Sequence, residues 1–505
     1  MKFTVAILDK HGNSAVNRML DLLHHFDVVQ NIHFGVVLPQ KSLFEKSLGI
    51  LNRQGLESPA IFGCASTRPI VSSNYDFLQL GDSAAVLEGK TYTPISKAAL
   101  TEQLVKVPVH CETALHTLIE QTDGDYAFWM IKKDSIIAGR DPVGVQPLYY
   151  GENSDIVAYA TNQSSLWMLG IEMPQSFPPG ALGFASKNGF IFKPAKTLTY
   201  IPPKQVTLTD AADTLQTLLA ESVKRRVCDQ KEIAIAFSGG LDSSVIAYLA
   251  SKCGVKVNLI HVSLENQSET EAALDAAEVL DLPMQIHLYK DSDVEAVLPK
   301  VVELIEEPDP LKAAIGIPFY WVAKTATEGK YRVLLAGQGA DELFGGYQRY
   351  VTEVCNGNSE NARRAMYLDV VSIHEHNLAR DLKITSFHDV DLRCPFVSYA
   401  LAEFALGLPL ECKIEAKPDT LRKLVLRQVA LNLGVPSVIA GKPKKAVQYS
   451  TGINNALKRI AKTNGKTVNA YVAELFEHTT PLHHMHTTHS KHPVYGGKEK
   501  GWPHQ

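Results

Sequence analysis

Ser238-Gly239-Gly240-Leu241-Asp242-Ser243-Ser244 decides how this chain is read. It follows Glu232-Ile233-Ala234-Ile235-Ala236-Phe237, a short apolar run that reads as a buried parallel strand. It precedes Val245-Ile246-Ala247-Tyr248-Leu249-Ala250, which reads as the start of a helix. Strand, Gly-rich turn and helix together make a phosphate cradle. Two glycines let the backbone approach an anion, successive N–H groups point at it, and the helix N-terminus adds partial positive charge. Ser238, Ser243 and Ser244 add hydroxyl donors, and Asp242 can hold Mg²⁺ through its carboxylate. The Gly-Lys-Ser/Thr ending of a Walker loop is absent. An ordinary strand–turn–helix corner also uses glycine, but it has no need of the serines and Asp242.

The heptapeptide resembles the pyrophosphate loop of the N-type ATP pyrophosphatases, which split ATP between the α and β phosphates to activate a carboxylate or carbonyl. A second block narrows the resemblance. Val333-Leu334-Leu335-Ala336-Gly337-Gln338-Gly339-Ala340-Asp341-Glu342-Leu343-Phe344-Gly345-Gly346-Tyr347 is similar to the Ser-Gly-Glu-Gly-x-Asp-Glu-x-Phe-Gly-Gly-Tyr block of asparagine synthetases. That resemblance implies that Asp341 is a second Mg²⁺-pyrophosphate carboxylate. It implies nucleotide contacts at Ala236, Val262, Ser263, Ala336 and Gly337. Two Gly-rich, Asp-bearing strand ends suit a parallel sheet, where ligands sit outside the carboxyl ends of strands.

Composition agrees with an enzyme built of ordinary globular domains. The 505 residues suffice for two or three domains of roughly 150 residues. Hydrophobic content of 45% with 21% charged residues fits folding rather than disorder. A net charge of −4 favours no nucleic-acid partner. The cysteines at 64, 111, 228, 253, 355, 394 and 412 are scattered, with no Cys-x-x-Cys pair. Reduced thiols in the cytoplasm are the simplest account. No apolar run is long enough to cross a membrane, and the first nine residues read as a strand rather than a signal peptide.

Pro178-Pro179-Gly180 and Ile201-Pro202-Pro203-Lys204 bracket a turn-rich stretch that divides the chain near residue 200. Before it lie short β-rich runs at 3–8, 77–80, 84–87, 126–131 and 135–139. After it, a helix over about 208–226 leads into alternating strands and helices, the pattern of a doubly wound sheet. From about 395 the sequence turns helical, with Leu421, Leu424, Val425 and Val429 at helical spacing. The expected partition is 1–200, 205–477 and a His-rich tail over 478–505 that holds seven of the 18 histidines. Such a tail can bind transition metals or simply be mobile.

The first half carries its own resemblance. Gly124-Asp125-Tyr126-Ala127-Phe128-Trp129, Gly139-Arg140-Asp141-Pro142-Val143-Gly144-Val145-Gln146-Pro147-Leu148-Tyr149 and Phe177-Pro178-Pro179-Gly180 are similar to class II glutamine amidotransferases. The fold implied is a four-layer α+β domain with an Ntn-type β-sandwich, followed by a doubly wound parallel α/β ATP pyrophosphatase domain with a helical lobe. Arg140 and Asp141 are expected to form a fold-stabilising ion pair. The family's catalytic signatures do not recur. Position 2 is Lys2 where those glutaminases present a cysteine, and Asn52-Arg53-Gln54-Gly55 only echoes their glutamine-binding block. With Leu87-Glu88-Gly89-Lys90-Thr91-Tyr92 taken as the counterpart of the family's segment, the resemblance puts Glu88-Gly89 at its Asn-Gly oxyanion pair, where a carboxylate repels a developing oxyanion. The expectation is an inactive glutaminase half.

Within the second half, Lys442-Pro443-Lys444-Lys445-Ala446-Val447-Gln448-Tyr449 resembles the family loop whose lysine sits on the polyphosphate. Lys445 fits by spacing and Lys444 is next; a solvated basic loop is the plain alternative. Lys423-Leu424-Val425-Leu426-Arg427 resembles the family's Lys-x-x-Leu-Arg. Glu306-Glu307-Pro308-Asp309-Pro310 reads either as a wall of the acceptor pocket or as a solvated acidic turn. Arg393 reads either as a carboxylate binder or as a tie between lobe and sheet. Gln338 stands where many asparagine synthetases have glutamate. It cannot accept a proton, though its amide can orient a substrate. The resemblance thus implies ATP and Mg²⁺ as cofactors and formation of asparagine from aspartate, ATP and ammonia. A homodimer and a separate glutaminase are partners that it allows. An adenylating ligase for another carboxylate and a non-catalytic partner of the same fold remain as alternatives.

Overall fold

The computed structural model describes residues 2–480 except 28–30, 53, 68–75, 94–95, 108–111, 133, 416, 418–420 and 443–450. Period-2 alternation builds the first domain. In the strand Lys2–Asp9, Ala6 and Leu8 enter one apolar cluster while Phe3, Val5 and Ile7 enter another. This strand lies inside a seven-stranded antiparallel sheet, paired with Ala60–Ser66 and Ile156–Ala160. A six-stranded antiparallel sheet holds Ser83–Thr93, Asp123–Lys132 and Ser135–Arg140 at its centre. The inner faces of the two sheets share one core that includes Phe62, Trp129 and Tyr159. Helix Val16–His24 covers one outer face, and helices Lys97–Lys106 and Glu112–Gln121 cover the other. The result is the four-layer α+β sandwich.

The second domain is a five-stranded parallel sheet. Its spatial order is Met284–Tyr289, Lys256–Leu264, Glu232–Ala236, Val333–Leu335 and Asp391–Arg393. Helices cover both faces: Leu208–Val227, Leu241–Ser251 and Leu424–Asn432 on one, Asp291–Ile305 and Pro310–Glu328 on the other. Strand order reverses between Glu232–Ala236 and Val333–Leu335. Ligands of open α/β sheets bind at that crevice, so both Gly-rich loops emerge side by side where the topology calls for a site.

Local expectations shift in four places. Helix Leu241–Ser251 begins inside the heptapeptide, with Gly240 as its N-cap, so Asp242 sits in its first turn. Leu421 precedes helix Leu424–Asn432 and is exposed, so it is not core. Helix Val468–Thr479 runs through His478; the other tail histidines lie outside the described residues. Arg140 and Asp141 attract each other, but their hydrogen bonds go mainly to the backbone. The Asp141 carboxylate accepts N–H bonds from Val143, Gly144, Val145 and Gln146, and Arg140 donates to the carbonyls of Gly144, Gln146 and Phe177. The turn they stiffen pushes Val143 and Val145 into the core of the second domain.

A buried carboxylate joins the same two domains. Glu306 ends helix Asp291–Ile305 in the left-handed region at φ 59°. Its oxygens accept from the backbone N–H of Gln163 (2.9 Å) and Ser164 (2.8 Å), the first turn of helix Gln163–Met168. Lys383 meets the same carboxylate at 2.6 Å and lies over the Tyr149 ring. Burial pulls the Lys383 ammonium down, but Glu306 and Tyr149 outweigh it and hold it above the ordinary lysine range. Glu306 is therefore not part of a solvated acidic turn.

Candidate active site

Below the switch point lies a cavity of about 580 Å³. Ala236, Ser238, Asp242, Ser243, Val262, Ala336, Gly337, Gln338 and Asp341 all line it, so most of the sequence-derived candidates converge. Four candidates do not reach its wall. Ser263, next to Val262 on the strand, does not line the cavity and is fully buried. Ser244 is likewise turned inward from the helix, with no exposed surface. Gly239 and Gly240 shape the loop from behind. Gly239 has φ +65°, and a Cβ there would lie 2.6 Å from the Ala273 Cα, so only glycine fits. Lys444 and Lys445 lie outside the described residues.

The serines brace the cradle. Ser238 and Ser243 hydroxyls are 3.2 Å apart, Gly240 N–H donates to Ser238 Oγ, and Ser243 Oγ donates to the Gly240 carbonyl. These contacts hold the turn open at the head of the helix. His261 lines the cavity from the strand Lys256–Leu264. Burial holds its imidazole below the ordinary histidine value, and its Nδ1 donates to the Phe237 carbonyl.

The centre of the site is Lys423, the first residue of the Lys-x-x-Leu-Arg stretch. Lys423 is buried, and its ammonium lies 2.6 Å from Asp242 and 2.7 Å from Asp341. Burial pulls its pKa down, yet the two aspartates outweigh burial and hold it above the ordinary lysine value. Lys423 sits at φ 62° just ahead of helix Leu424–Asn432, and that left-handed step turns its side chain toward the loops. Gly346 closes the arrangement: a Cβ there would strike the Asp341 carboxylate and the Lys423 Cε.

Two carboxylates thus converge on one positive centre. Asp242 Oδ1 is buried with no hydrogen-bond partner, which is the condition of an oxygen waiting for a cation. Mg²⁺ takes one or two carboxylates plus substrate phosphates rather than a full protein cage. Two carboxylates with one orphaned oxygen are a donor set that fits Mg²⁺ shared with phosphate.

The far wall comes from segments that carried no motif. A π-helical turn, His374–Leu378, brings His376 and Asn377 to the cavity, and Arg380 follows it. Such turns widen a helix locally and recur at functional sites. Asn377 donates to Glu342 at 2.6 Å, and Tyr347 donates to the same carboxylate. Asp309 lines the cavity while capping helix Pro310–Glu328 through Leu311 and Lys312 N–H. Arg393 does not line the cavity. It is tied to Asp229 and Asp391 and donates to the Arg226 carbonyl, locking the edge of the sheet.

The matching region of the first domain is differently furnished. Glu88 is buried; it accepts the Thr4 hydroxyl and faces the Lys2 ammonium at 3.8 Å. Cys64 lies on the adjacent strand, opposite Thr4, and burial pushes its thiol up to about 12. Arg53 lies outside the described residues. The six described cysteines are unpaired thiols.

The asparagine synthase family model matches residues 214–362 and 355–500, and a glutamine amidotransferase domain model matches 83–167. A Methanocaldococcus jannaschii chain named "Putative asparagine synthetase (glutamine-hydrolyzing) 1" is 31% identical over 404 residues, covering 70% of this chain and 74% of that one. The chain belongs to the asparagine synthetase family. The glutamine-hydrolyzing asparagine synthetase of Sandersonia aurantiaca is 24% identical over 441 residues, 82% of this chain and 80% of that one. Among solved structures, the Bacillus subtilis glutamine phosphoribosylpyrophosphate amidotransferase aligns at a TM-score of 0.31 and 12% identity, covering 56% of this chain and 65% of that one. Membership in the asparagine synthetase family makes this chain an ATP-dependent amide ligase, and the cavity at the switch point is where that fold holds its ligands. No described helix is long and apolar enough to cross a membrane.

Proposed function

We propose that the protein makes asparagine from aspartate, ATP and ammonia, releasing AMP and pyrophosphate, and that it does not hydrolyse glutamine. The observation that carries the ligase half is the convergence of Asp242, Asp341 and Lys423 beneath the two Gly-rich loops. The aspartate side-chain carboxylate attacks the α-phosphorus of ATP, and pyrophosphate leaves toward the heptapeptide. The N–H groups of the loop and the helix N-terminus meet its developing charge. Asp242 and Asp341 would hold Mg²⁺, which supplies neutralising charge at the phosphates. Lys423 keeps the two carboxylates from repelling each other. Lys444 or Lys445 would add a further cation at the phosphates. Ammonia then displaces AMP from the acyl group. Ala236, Val262, Ala336 and Gly337 form an apolar slot suited to a nucleobase.

Glu88 supports the second half of the reading. It is a buried carboxylate with Thr4 and Lys2 as partners, at the position that the resemblance aligns with the family's oxyanion pair, and it would repel a developing oxyanion. Pyrophosphate release from Mg-ATP with a panel of amino acids, each with ammonium or glutamine, tests the whole. Release is expected with aspartate and ammonium. Release with a different acid and not with aspartate would replace the substrate. Release with none would leave a non-catalytic partner. Glutamate production from glutamine alone is expected to be absent, and its detection would overturn the reading of Glu88.

A further inference from the structure

Gln338 lines the cavity, and its amide is not free to choose an orientation. Its Nε2 donates to Asp381, a fully buried carboxylate on helix Ala379–Phe387. Asp381 is gripped in turn by Arg380, through Nε at 2.6 Å and Nη2 at 3.0 Å. A carboxylate held this way only accepts hydrogen bonds, so the amide nitrogen must face it. The amide is planar, and its oxygen is therefore the atom left to the cavity. We propose that Asp381 and Arg380 are positioning residues that lock Gln338 with its oxygen toward the incoming nitrogen. This rests on the amide-forming reaction proposed above.

The chemistry that follows is specific. The nitrogen lone pair forms a bond to the acyl carbon, and the bond from that carbon to the AMP phosphate oxygen breaks with its electrons on AMP. One N–H proton is lost. Gln338 Oε1 accepts a hydrogen bond from the nucleophile and so aims its lone pair, but it cannot take the proton. The proton passes to water or to the departing phosphate. An amine with N–H to donate is recognised; a nucleophile without one is not. The position becomes a fixed acceptor that does not titrate.

The test uses the full chain with aspartate, Mg-ATP and ammonium, reading two quantities. Aspartate-dependent exchange between ATP and pyrophosphate reports activation, and the KM for ammonium reports nitrogen capture. Gln338→Met is expected to raise that KM about tenfold, with a much smaller change in exchange. Asp381→Asn should move the KM the same way. Gln338→Glu sets a second carboxylate against Asp381 and should also lose capture. Gln338→Glu combined with Asp381→Asn reverses donor and acceptor and should recover most of it, which a merely structural role would not produce. An unchanged ammonium KM in Gln338→Met, or a double variant no better than the worse single one, would sink the inference. Absence of exchange in the unaltered protein would instead overturn the proposed reaction and this inference with it.

Discussion

Asp242→Asn is expected to lower aspartate-dependent pyrophosphate release at least about a thousandfold. The substitution keeps shape but removes the charge on which Lys423 and the phosphates both depend. Its fold should persist, because Lys423 retains Asp341 at 2.7 Å. Activity within tenfold of the unaltered enzyme would show that pyrophosphate leaves elsewhere. Lys423→Met separates charge from chemistry. It leaves two partly buried carboxylates facing each other, and loss of one member of a buried ion pair costs about 3–5 kcal/mol. Mg²⁺ without ATP should restore part of that stability, since a ligand bound only by the folded state stabilises by mass action. Thermal unfolding with and without Mg²⁺ reads this directly. A variant whose unfolding ignores Mg²⁺ would remove Asp242 and Asp341 as its ligands.

Glu306→Ala is expected to destabilise the protein by about 3–5 kcal/mol although it touches neither ATP loop. Three groups lose this carboxylate together: the Gln163 N–H, the Ser164 N–H and the Lys383 ammonium. The Lys383 side chain is only 8% exposed, so its charge keeps Tyr149 nearby but has little access to solvent. Trp167 rides on the helix that Glu306 caps and packs edge-on against Phe476 of the second domain, with ring centroids 6.1 Å apart. Denaturant unfolding followed by tryptophan fluorescence should therefore show an early loss of this contact. Superimposable unfolding curves for the variant and the unaltered protein would mean that the domains are held together by other contacts.

Much of the site was legible because its chemistry is local in sequence. The heptapeptide and the 337–347 block each sit at a strand end, and the parallel sheet places consecutive crossovers at one edge. Asp242, Asp341, Ser238, Gly337 and Val262 could be named on that basis. Lys423 could not be placed, because its role depends on a left-handed turn and on two aspartates far away in the sequence, Asp242 and Asp341. Asp381 and Arg380 carried no signal at all. They lie on an ordinary helix whose approach to Gln338 is a product of tertiary packing. Glu306 stayed between two readings for a related reason: an acidic Pro-flanked run looks solvated until the first domain supplies its N–H donors. Arg140 and Asp141 look like an ion pair in sequence, yet a tight turn offers each a denser set of backbone partners.

Glu88 also acts as a rivet between the two sheets of the first domain. It stands on Ser83–Thr93 of the six-stranded sheet, while the Thr4 hydroxyl it accepts and the Lys2 ammonium it faces stand on Lys2–Asp9 of the seven-stranded one. An apolar replacement leaves the buried Thr4 hydroxyl without that acceptor. The sandwich is thus held at this corner by a polar contact that crosses an otherwise apolar seam.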